Sequence, residues 1–220
     1  LSYLAVKIFV SFEDSKAFLP AAKVVVAGNP VRVFTLHPKS SGEKFTVFVF
    51  GGSQGAHSLN RALLEALPFL SDVKDQIHLI HQTGRRDFKW VQSTYFEHQW
   101  VGEIYDYIED IASIYAKADF VICRAGASSL AELSLLKKAC LLIPYPFAAH
   151  GHQESNARLL AEYGAARMLH DWELGGLPLA KEIKWGLHHP RELEKLRDTI
   201  LQFSRPYAAK TIVDTILALR

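Results

Sequence analysis

The 220-residue sequence is poor in sulfur and nearly balanced in charge. It has two cysteines and one methionine, and its 25 basic and 23 acidic residues leave a formal net charge of +2. Two cysteines cannot build the disulfide framework of a small secreted domain, and so small a charge lacks the electrostatic footprint of a nucleic-acid-binding protein. No apolar run approaches the ~20 residues of a membrane-spanning helix. We therefore expect buried free thiols at Cys123 and Cys140 and no nucleic-acid partner.

Several signatures of cofactor binding and catalysis are also missing. The glycine-rich stretch that starts at Gly51 lacks the Lys-Ser/Thr pair of a P-loop, and its glycine spacing is not that of a dinucleotide-binding turn. Neither a Gly-x-Ser-x-Gly elbow nor a Cys/His signature is present, so no nucleophile stands out. His150 and His152 have no cysteine or carboxylate partner at a zinc-ligand spacing. We expect no metal and no other cofactor.

What the sequence does contain is a regular alternation of strand and helix patterns. Apolar, β-branched runs alternate with segments of helical periodicity, which is typical of an α/β fold with a Rossmann-like parallel sheet and helices on both faces. The predicted strands are 5–12, 23–27, 45–50, 77–82, 100–101, 119–123, 140–143 and 166–169. The predicted helices are 55–67, 87–96, 107–117, 129–136, 153–162, 178–187, 190–203 and 207–219.

The segment around residues 119–136 organises the prediction. A buried strand ends at Cys123, a small-residue turn follows, and helical periodicity then begins. The first N–H groups of that helix, at the carboxyl end of a parallel strand, would suit an anion such as a phosphate. Two interpretations of Ser129-Leu-Ala-Glu132 stay open here: a capping box with Ser129 as N-cap, or a contribution to a ligand site.

Two other strand-to-helix turns favour a ligand. Gly51-Gly-Ser-Gln-Gly55 would let backbone N–H groups approach a phosphate or a sugar closely. In the third turn, His152, Gln153 and Asn156 fall at helical offsets that could project towards the same opening. Uncharged amide groups suit sugar hydroxyls better than a metal. A solvent-exposed polar helix start remains the alternative for Gln153 and Asn156.

Taken together, these stretches resemble the MurG family of N-acetylglucosamine transferases in bacterial peptidoglycan synthesis. Four segments carry the resemblance, in the family's order and across nearly the whole chain. They are Gly28-Asn-Pro-Val-Arg32, Gly51-Gly-Ser-Gln-Gly-Ala56, Arg124-Ala-Gly-Ala-Ser-Ser-Leu-Ala-Glu132 and His152-Gln-Glu-Ser-Asn156-Ala. The resemblance implies the C-terminal, donor-binding half of a two-domain GT-B glycosyltransferase.

The resemblance also implies roles for individual residues. Ile108 would meet the uracil through its backbone, and Glu132 would hold the ribose hydroxyls. The diphosphate would be met at the helix start and from the cleft, and the sugar at the third turn. The residues implied for the diphosphate are Ala127, Ser128, Ser129, Arg32 and Ser53, and those for the sugar are His152, Gln153 and Asn156. Ser129 stands where threonine is usual, and Gly151 stands where a carboxylate is common.

The same resemblance divides the chain into parts. Residues 1–35 correspond to the tail of the N-terminal acceptor domain and the hinge, and residues 36–205 to the nucleotide-sugar-binding domain. Residues 206–220 correspond to a C-terminal helix that could cross back to the N-terminal domain, and the polar stretch 37–44 is a predicted linker. The chain opens at Leu1 inside an apolar run, and the family's N-terminal glycine-rich loops have no counterpart in it. We therefore expect the catalytic groups on a missing half.

The expected function is inverting transfer of N-acetylglucosamine from UDP-N-acetylglucosamine to an undecaprenyl-linked muramyl-pentapeptide, the step from lipid I to lipid II. The full-length enzyme would sit peripherally on the cytoplasmic face of the plasma membrane, and this chain would bind the donor without transferring it. Two alternatives stay open. One is a nucleotide-sugar-binding module without chemistry of its own, and the other is a UDP-N-acetylglucosamine epimerase, for which no acid/base carboxylates stand in a matching context.

Overall fold

The structure is a computed structural model that describes residues 4–32 and 44–219. The predicted linker at residues 37–44 lies outside these ranges apart from Lys44, and so does the predicted domain boundary at residues 35 and 36. Within the described residues, none of the helices combines the length and apolar content that crossing a bilayer would require.

The strands form two parallel sheets. A small sheet pairs β1 (Ile8–Val10) with β2 (Val24–Val26). The main sheet contains β3 (Phe45–Phe50), β4 (Ile77–Gln82), β5 (Gly102–Tyr105), β6 (Phe120–Cys123), β7 (Cys140–Leu142) and β8 (Arg167–Met168), in the order β5-β4-β3-β6-β7-β8. The chain first builds outward from β3 to β5 and then returns to build outward from β6 to β8. The strand order therefore reverses between β3 and β6, and a ligand crevice is expected above their carboxyl ends.

Helices cover both faces of the main sheet, as predicted. The described residues contain α1 (His57–Ala66), α2 (Phe88–Glu97), α3 (Ile111–Lys117), α4 (Ala127–Leu135), α5 (His152–Glu162), α6 (Gly176–His188), α7 (Pro190–Ile200) and α8 (Ala208–Leu217). Successive β3 residues serve opposite cores, because side chains alternate across a strand. Val47 and Val49 pack with α1, α2, α6 and α7, whereas Phe48 and Phe50 pack with α3, α4 and α5.

Three predicted boundaries are wrong for identifiable reasons. The strand predicted at residues 100–101 begins at Gly102 instead, because Trp100 is a buried core residue whose N–H donates to the Tyr95 carbonyl in a turn. The helix predicted from residue 107 begins at Ile111, because the Asp110 carboxylate caps it by accepting from the Ser113 N–H at 3.3 Å. The helix predicted to reach residue 203 ends at Ile200, and a short 3-10 turn (Leu201–Phe203) follows it.

Residues 4–32 pack against the main body of the chain near α4 and the 3-10 turn. Phe12 makes an edge contact with Phe203, at 6.3 Å between ring centroids. Gly28 is buried with a positive φ of 85°, and a Cβ there would lie 2.4 Å from the Arg205 Cβ. Only glycine fits so close an approach with that backbone conformation. The turn at residues 28–32 is therefore fixed against the segment that leads into α8.

Candidate functional site

A cleft of about 1220 Å³ lies beside the carboxyl ends of β6 and β7. It runs between the starts of α4 and α5 on one side and residues 10–19 on the other. Among the residues implied by the sequence, Ala127, His152, Gln153 and Asn156 line it. Arg32, Ser53, Ile108, Ser128, Ser129 and Glu132 lie outside its lining. The cleft therefore collects the residues expected for the sugar together with one residue expected for the diphosphate.

The start of α4 is open in the way that an anion site requires. Gly126 is the N-cap, and as a glycine it has no side chain to accept a hydrogen bond from the first turn. The intrahelical ladder begins with the Leu130 N–H, which donates to the Gly126 carbonyl at 3.0 Å. The N–H groups of Ala127, Ser128 and Ser129 therefore precede the ladder. Among the described residues, a Cβ placed on Gly126 would have no neighbour within 4 Å, so the N-cap position itself is uncrowded.

The capping-box interpretation of Ser129 and Glu132 is wrong. The helix starts at Ala127 rather than at Ser129, which puts Ser129 inside the first turn and Glu132 in the second. Glu132 instead accepts a hydrogen bond from the Tyr115 hydroxyl, at 3.0 Å from its Oε2. The carboxylate is thus aimed at α3 and not back at the helix start.

Glu132 lies in a partly buried setting that disfavours its charge. Burial raises the pKa of this carboxyl, whereas the Tyr115 hydrogen bond and the positive charge of Arg32 lower it. Arg32 is exposed, at the end of the turn at residues 28–32. A carboxylate in this position gains from any further hydrogen-bond donor, because burial has removed part of its hydration. Two vicinal hydroxyls of a ribose are such donors.

The start of α5 presents two side-chain amides, and in each of them one polar atom is hydrogen-bonded within the protein while the other is available to a ligand. Gln153 accepts from the Tyr145 N–H at 3.0 Å through Oε1, and Asn156 donates to the Ala125 carbonyl at 3.1 Å through Nδ2. Among the described residues, no partner engages Gln153 Nε2 or Asn156 Oδ1. The engaged halves fix the side-chain orientation, so the other halves form one preset donor and one preset acceptor beside the cleft. His152 is exposed on the same turn, and Gly151 precedes it with a φ of 65°.

The glycine-rich turn after β3 is less open than was predicted for a loop that binds a ligand. A Cβ on Gly51 would lie 2.3 Å from the Ala56 nitrogen, and one on Gly55 would lie 2.1 Å from the Thr83 carbonyl oxygen. These two glycines are required by backbone packing. Gly52, with a φ of 88°, has open space in front of it, and Ser53 beside it is exposed. Only the tip of this turn is available to a ligand.

Gln82, which the sequence reasoning missed, joins this turn to Ile108. Its Nε2 donates to the Gly52 carbonyl and its Oε1 accepts from the Ile108 N–H, each at 3.0 Å. The expected contact of Ile108 with a base therefore has to use the carbonyl, because the N–H is engaged. The signal in the sequence is a polar side chain at the end of an otherwise apolar, buried strand.

Arg124 was also missed as a site residue, although it stands in a matching segment. It is buried, forms an ion pair with Asp171 at 2.6 Å, and donates to Ser58 Oγ at 2.6 Å. It also donates to the carbonyls of Ile143 and Pro144, each at 3.2 Å. A charge directly after a buried strand indicates such a role. Arg124 holds the loops after β6 and β7 and the start of α1 together.

A buried polar network supports the turn after β3. Asn60 donates through Nδ2 to the Thr83 carbonyl and to Asp87 Oδ2, each at 2.8 Å, and its Oδ1 lies 3.0 Å from His81 Nε2. Burial lowers the pKa of His81 to about 3, although the charge of Asp87 opposes this. A neutral His81 with its proton on Nε2 satisfies Asn60 as an acceptor. The exposed His57 completes the network, with Nδ1 at 3.0 Å from Asp87.

No residue set for a metal emerges from the described part of the chain. Within residues 4–32 and 44–219, no three His, Cys, Asp or Glu side chains are grouped so that they could hold an ion. Cys123 and Cys140 are buried free thiols on β6 and β7. Burial raises the pKa of Cys140 to about 12 and that of Cys123 well above its usual range, so neither is poised as a thiolate nucleophile.

Known proteins resemble this chain over nearly its whole length. The UDP-N-acetylglucosamine--N-acetylmuramyl-(pentapeptide) pyrophosphoryl-undecaprenol N-acetylglucosamine transferase of Myxococcus xanthus is 42% identical and covers 96% of this chain. The chain spans only 56% of that relative's length. The crystal structure of Acinetobacter baumannii MurG superposes with a TM-score of 0.81 at 26% identity, covering 99% of this chain and 62% of that one.

A more distant structure shares the fold alone. A putative UDP-N-acetylglucosamine 2-epimerase from Listeria monocytogenes superposes with a TM-score of 0.70 at 14% identity, covering 98% of this chain and 60% of that one. The resemblance to the MurG family stated from the four segments is confirmed by the relatives above. Residues 46–212, most of the chain, match the glycosyltransferase family 28 C-terminal domain, and the chain belongs to that family.

Proposed function

We propose that this chain binds UDP-N-acetylglucosamine as the donor half of an inverting N-acetylglucosamine transferase. The observation that carries the proposal is the open start of α4 between two kinds of polar group. The half-buried Glu132 carboxylate lies one turn further along α4, and the cleft next to the helix start is lined by the preset amides of Gln153 and Asn156. An anion flanked by a diol and a sugar is the chemistry of a nucleotide-sugar.

The nucleotide part of the donor accounts for one set of residues. The ribose hydroxyls donate to Glu132, and the uracil meets the Ile108 carbonyl. The diphosphate accepts from the first-turn N–H groups at Ala127, Ser128 and Ser129, where the helix dipole favours negative charge. Arg32 adds a positive charge near Glu132, and the exposed Ser53 approaches from the tip of the turn after β3.

The sugar part of the donor accounts for the α5 start. Gln153 Nε2 donates to one sugar oxygen, Asn156 Oδ1 accepts from a hydroxyl, and the exposed His152 stands beside them. Gly151, directly before His152, has no side chain and adds no contact of its own to the sugar. These amide contacts orient the anomeric carbon towards the opening of the cleft, where an acceptor hydroxyl has to approach.

The acceptor side of the reaction belongs to the whole protein rather than to this chain. The acceptor that we propose, an undecaprenyl-linked muramyl-pentapeptide, is the one named for the relatives. Those relatives are longer than this chain, and we place the groups that hold and deprotonate the acceptor in their additional residues. Residues 1–35 are then the tail of the acceptor domain and the hinge, residues 36–205 the donor domain, and residues 206–220 the C-terminal segment that crosses back to the acceptor domain. The whole enzyme acts peripherally on the cytoplasmic face of the plasma membrane, where this donor and lipid acceptor meet.

Calorimetric titration of the purified chain tests donor binding. We expect saturable binding of UDP-N-acetylglucosamine and of UDP, and much weaker binding of GDP at equal charge. A chain that is folded by circular dichroism but binds none of them contradicts the proposal.

Radiolabelled donor incubated with a lipid-linked acceptor tests the division of labour. Holding an acceptor in line with the donor accounts for on the order of 7–11 kcal/mol of barrier reduction, and the groups proposed for this task are not on this chain. We therefore expect no disaccharide lipid above a protein-free blank. Product formation would show that the catalytic groups lie within these 220 residues.

A further inference from the structure

One hydrogen bond connects the N-terminal segment of the chain directly to the anion end of the candidate site. Asn29 Nδ2 donates to Ser128 Oγ at 3.1 Å, across 99 residues of sequence. Ser128 lies in the first turn of α4, where N–H groups precede the helical ladder. Asn29 therefore contacts the hydroxyl of the residue that directly follows Ala127, which lines the cleft.

The backbone that carries Asn29 is fixed on both sides. The Gly28 N–H donates to the Val10 carbonyl at 3.1 Å, and the Gly28 Cα is packed against Arg205, with no room for a side chain. Pro30 follows directly and restricts the backbone at Asn29 to extended conformations. The Asn29 amide is thus presented to Ser128 from a rigid turn, and the geometry does not depend on a flexible side chain reaching across solvent.

The direction of this hydrogen bond determines where the Ser128 proton can point. A serine hydroxyl has one O–H donor and two acceptor lone pairs. Because Asn29 donates to the oxygen, the hydroxyl proton cannot be directed at Asn29 and has to point to another acceptor. Ser128 is exposed, and the acceptor that the open helix start favours is an anionic oxygen.

We propose that Asn29 is a positioning residue that holds the Ser128 hydroxyl as a hydrogen-bond donor to the diphosphate of the nucleotide-sugar. The inference rests on the proposed function, since it names a residue that acts on the same site through Ser128. It also explains why the turn at residues 28–32, which contributes no residue to the lining of the large cleft, is built so tightly against α4 and Arg205.

Replacing Asn29 by aspartate tests the direction of the bond. A carboxylate cannot donate, so Asn29→Asp would turn the Ser128 proton inward at neutral pH. We expect UDP-N-acetylglucosamine to bind at least tenfold more weakly to Asn29→Asp at pH 7.5, and two- to fivefold more weakly to Asn29→Ala. At pH 5.0 a growing share of the introduced carboxyl groups carries a proton and can donate again, so the affinity gap to the wild type should narrow. The ligand's diphosphate is esterified at both ends and keeps its charge over this range.

A double-mutant cycle with Ser128→Ala separates positioning from a general effect of the added charge. If Asn29 acts through the Ser128 hydroxyl, Asn29→Ala should have almost no further effect on affinity in the Ser128→Ala background. Independent, additive losses would overturn the inference, and so would wild-type affinity in Asn29→Asp at pH 7.5. Thermal unfolding of every variant checks the fold, and if Asn29→Ala is unstable, the nearly isosteric Asn29→Asp takes its place in the cycle with Ser128→Ala.

The outcome also separates this inference from the proposal on which it rests. A wild-type chain that is folded but binds no UDP-N-acetylglucosamine would overturn the proposed function and this inference with it. Binding by the wild type together with additive losses in the cycle would overturn only the role of Asn29.

Discussion

The turns after β3 and β6 are alike in sequence pattern and different in construction. Each joins a buried strand to a helix beside the point where the strand order reverses. In the turn after β3, the glycines Gly51 and Gly55 have backbone atoms packed where a side chain would be. In the turn after β6, the single glycine, Gly126, has open space in front of it. Glycine content alone therefore does not indicate where a ligand fits.

The two turns also rest on different supports. The first lies over Asn60, Thr83 and the neutral His81, a network that is polar and buried. The second lies over Arg124, whose ion pair with Asp171 connects neighbouring loops. The first turn is a packed corner of the fold, whereas the second is a rigid rim around an opening. Substitutions in and around the two turns test this contrast.

The largest expected effect comes from adding one methyl group to each turn. In Gly55→Ala the new Cβ meets the Thr83 carbonyl oxygen at 2.1 Å at a φ of 76°, so we expect a loss of at least ~2 kcal/mol of unfolding free energy. In Gly126→Ala the Cβ meets nothing within 4 Å at a φ of −69°, so the loss should stay within about 1 kcal/mol. Urea unfolding measures both.

The matched variant Gly126→Ala should instead show its effect in ligand binding. Its methyl group would stand in front of the open N–H groups of α4 and weaken binding of UDP several-fold. Equal stability losses in Gly55→Ala and Gly126→Ala would remove the distinction between the two turns.

The next effect is a pH dependence of stability that comes from His81. The unfolded chain takes up a proton on this imidazole as the pH falls below 6.5, whereas burial keeps the folded ring neutral until about pH 3. The contribution of the neutral ring to stability is therefore present above pH 6.5 and is lost progressively as the pH falls below that value. His81→Gln should be less stable at pH 7.5 and less dependent on pH. Urea midpoints that run parallel for both proteins from pH 7.5 to 4.5 would contradict this.

A smaller effect is expected at Glu132, on the rim of the second turn. Glu132→Gln keeps the shape but removes the charge that strengthens hydrogen bonds to ribose hydroxyls, each worth roughly 1.5–3 kcal/mol. We expect UDP to bind at least several-fold more weakly, with little change in Tm, because the charge is partly buried without full compensation. Tyr115→Phe serves as the control for the side chain's orientation. Unchanged affinity in Glu132→Gln would exclude the carboxylate from the site.

The smallest expected effect is on ligand affinity at Gln153, and it should differ between UDP-N-acetylglucosamine and UDP. Removing the amide in Gln153→Ala should weaken binding of UDP-N-acetylglucosamine by several-fold and leave binding of UDP almost unchanged, because a polar site discriminates mainly against the ligand group that it contacts. Calorimetric titration with both ligands measures the difference. An equal loss for both would indicate that Gln153 acts on the fold, through its hydrogen bond from the Tyr145 N–H.

Periodicity in the sequence was sufficient for the sheet and its helices, but not for the detail of the helix starts. The runs at Phe45–Phe50 and Ile77–Gln82 are strands at the predicted residues, since burial on both faces requires continuous apolar residues. Trp100 misled the prediction, because an apolar side chain can be buried from a turn as well as from a strand. Ser129 misled it too, because a serine followed by a glutamate three residues later also occurs inside a helix.

The candidate site was predictable where residues adjoin in sequence and unpredictable where they meet in space. The α4 and α5 starts follow from local patterns. Gln82 and Arg124 act through partners 19 to 66 residues away, and Asn29 meets Ser128 across 99. Such contacts depend on strand order and on the packing of loops, which a single sequence does not specify.

Gln82 has a consequence for how a ligand would be received. Its single amide spans the turn after β3 and the loop after β5, so both loops are connected before any ligand arrives. Association should then proceed without a slow ordering step, and the heat capacity change should reflect the ligand's own contact surface rather than loop folding. The amide hydrogen of Ile108 should already exchange slowly in the free protein. Slow exchange at this residue would therefore report its hydrogen bond to Gln82 and would not show that a ligand is bound.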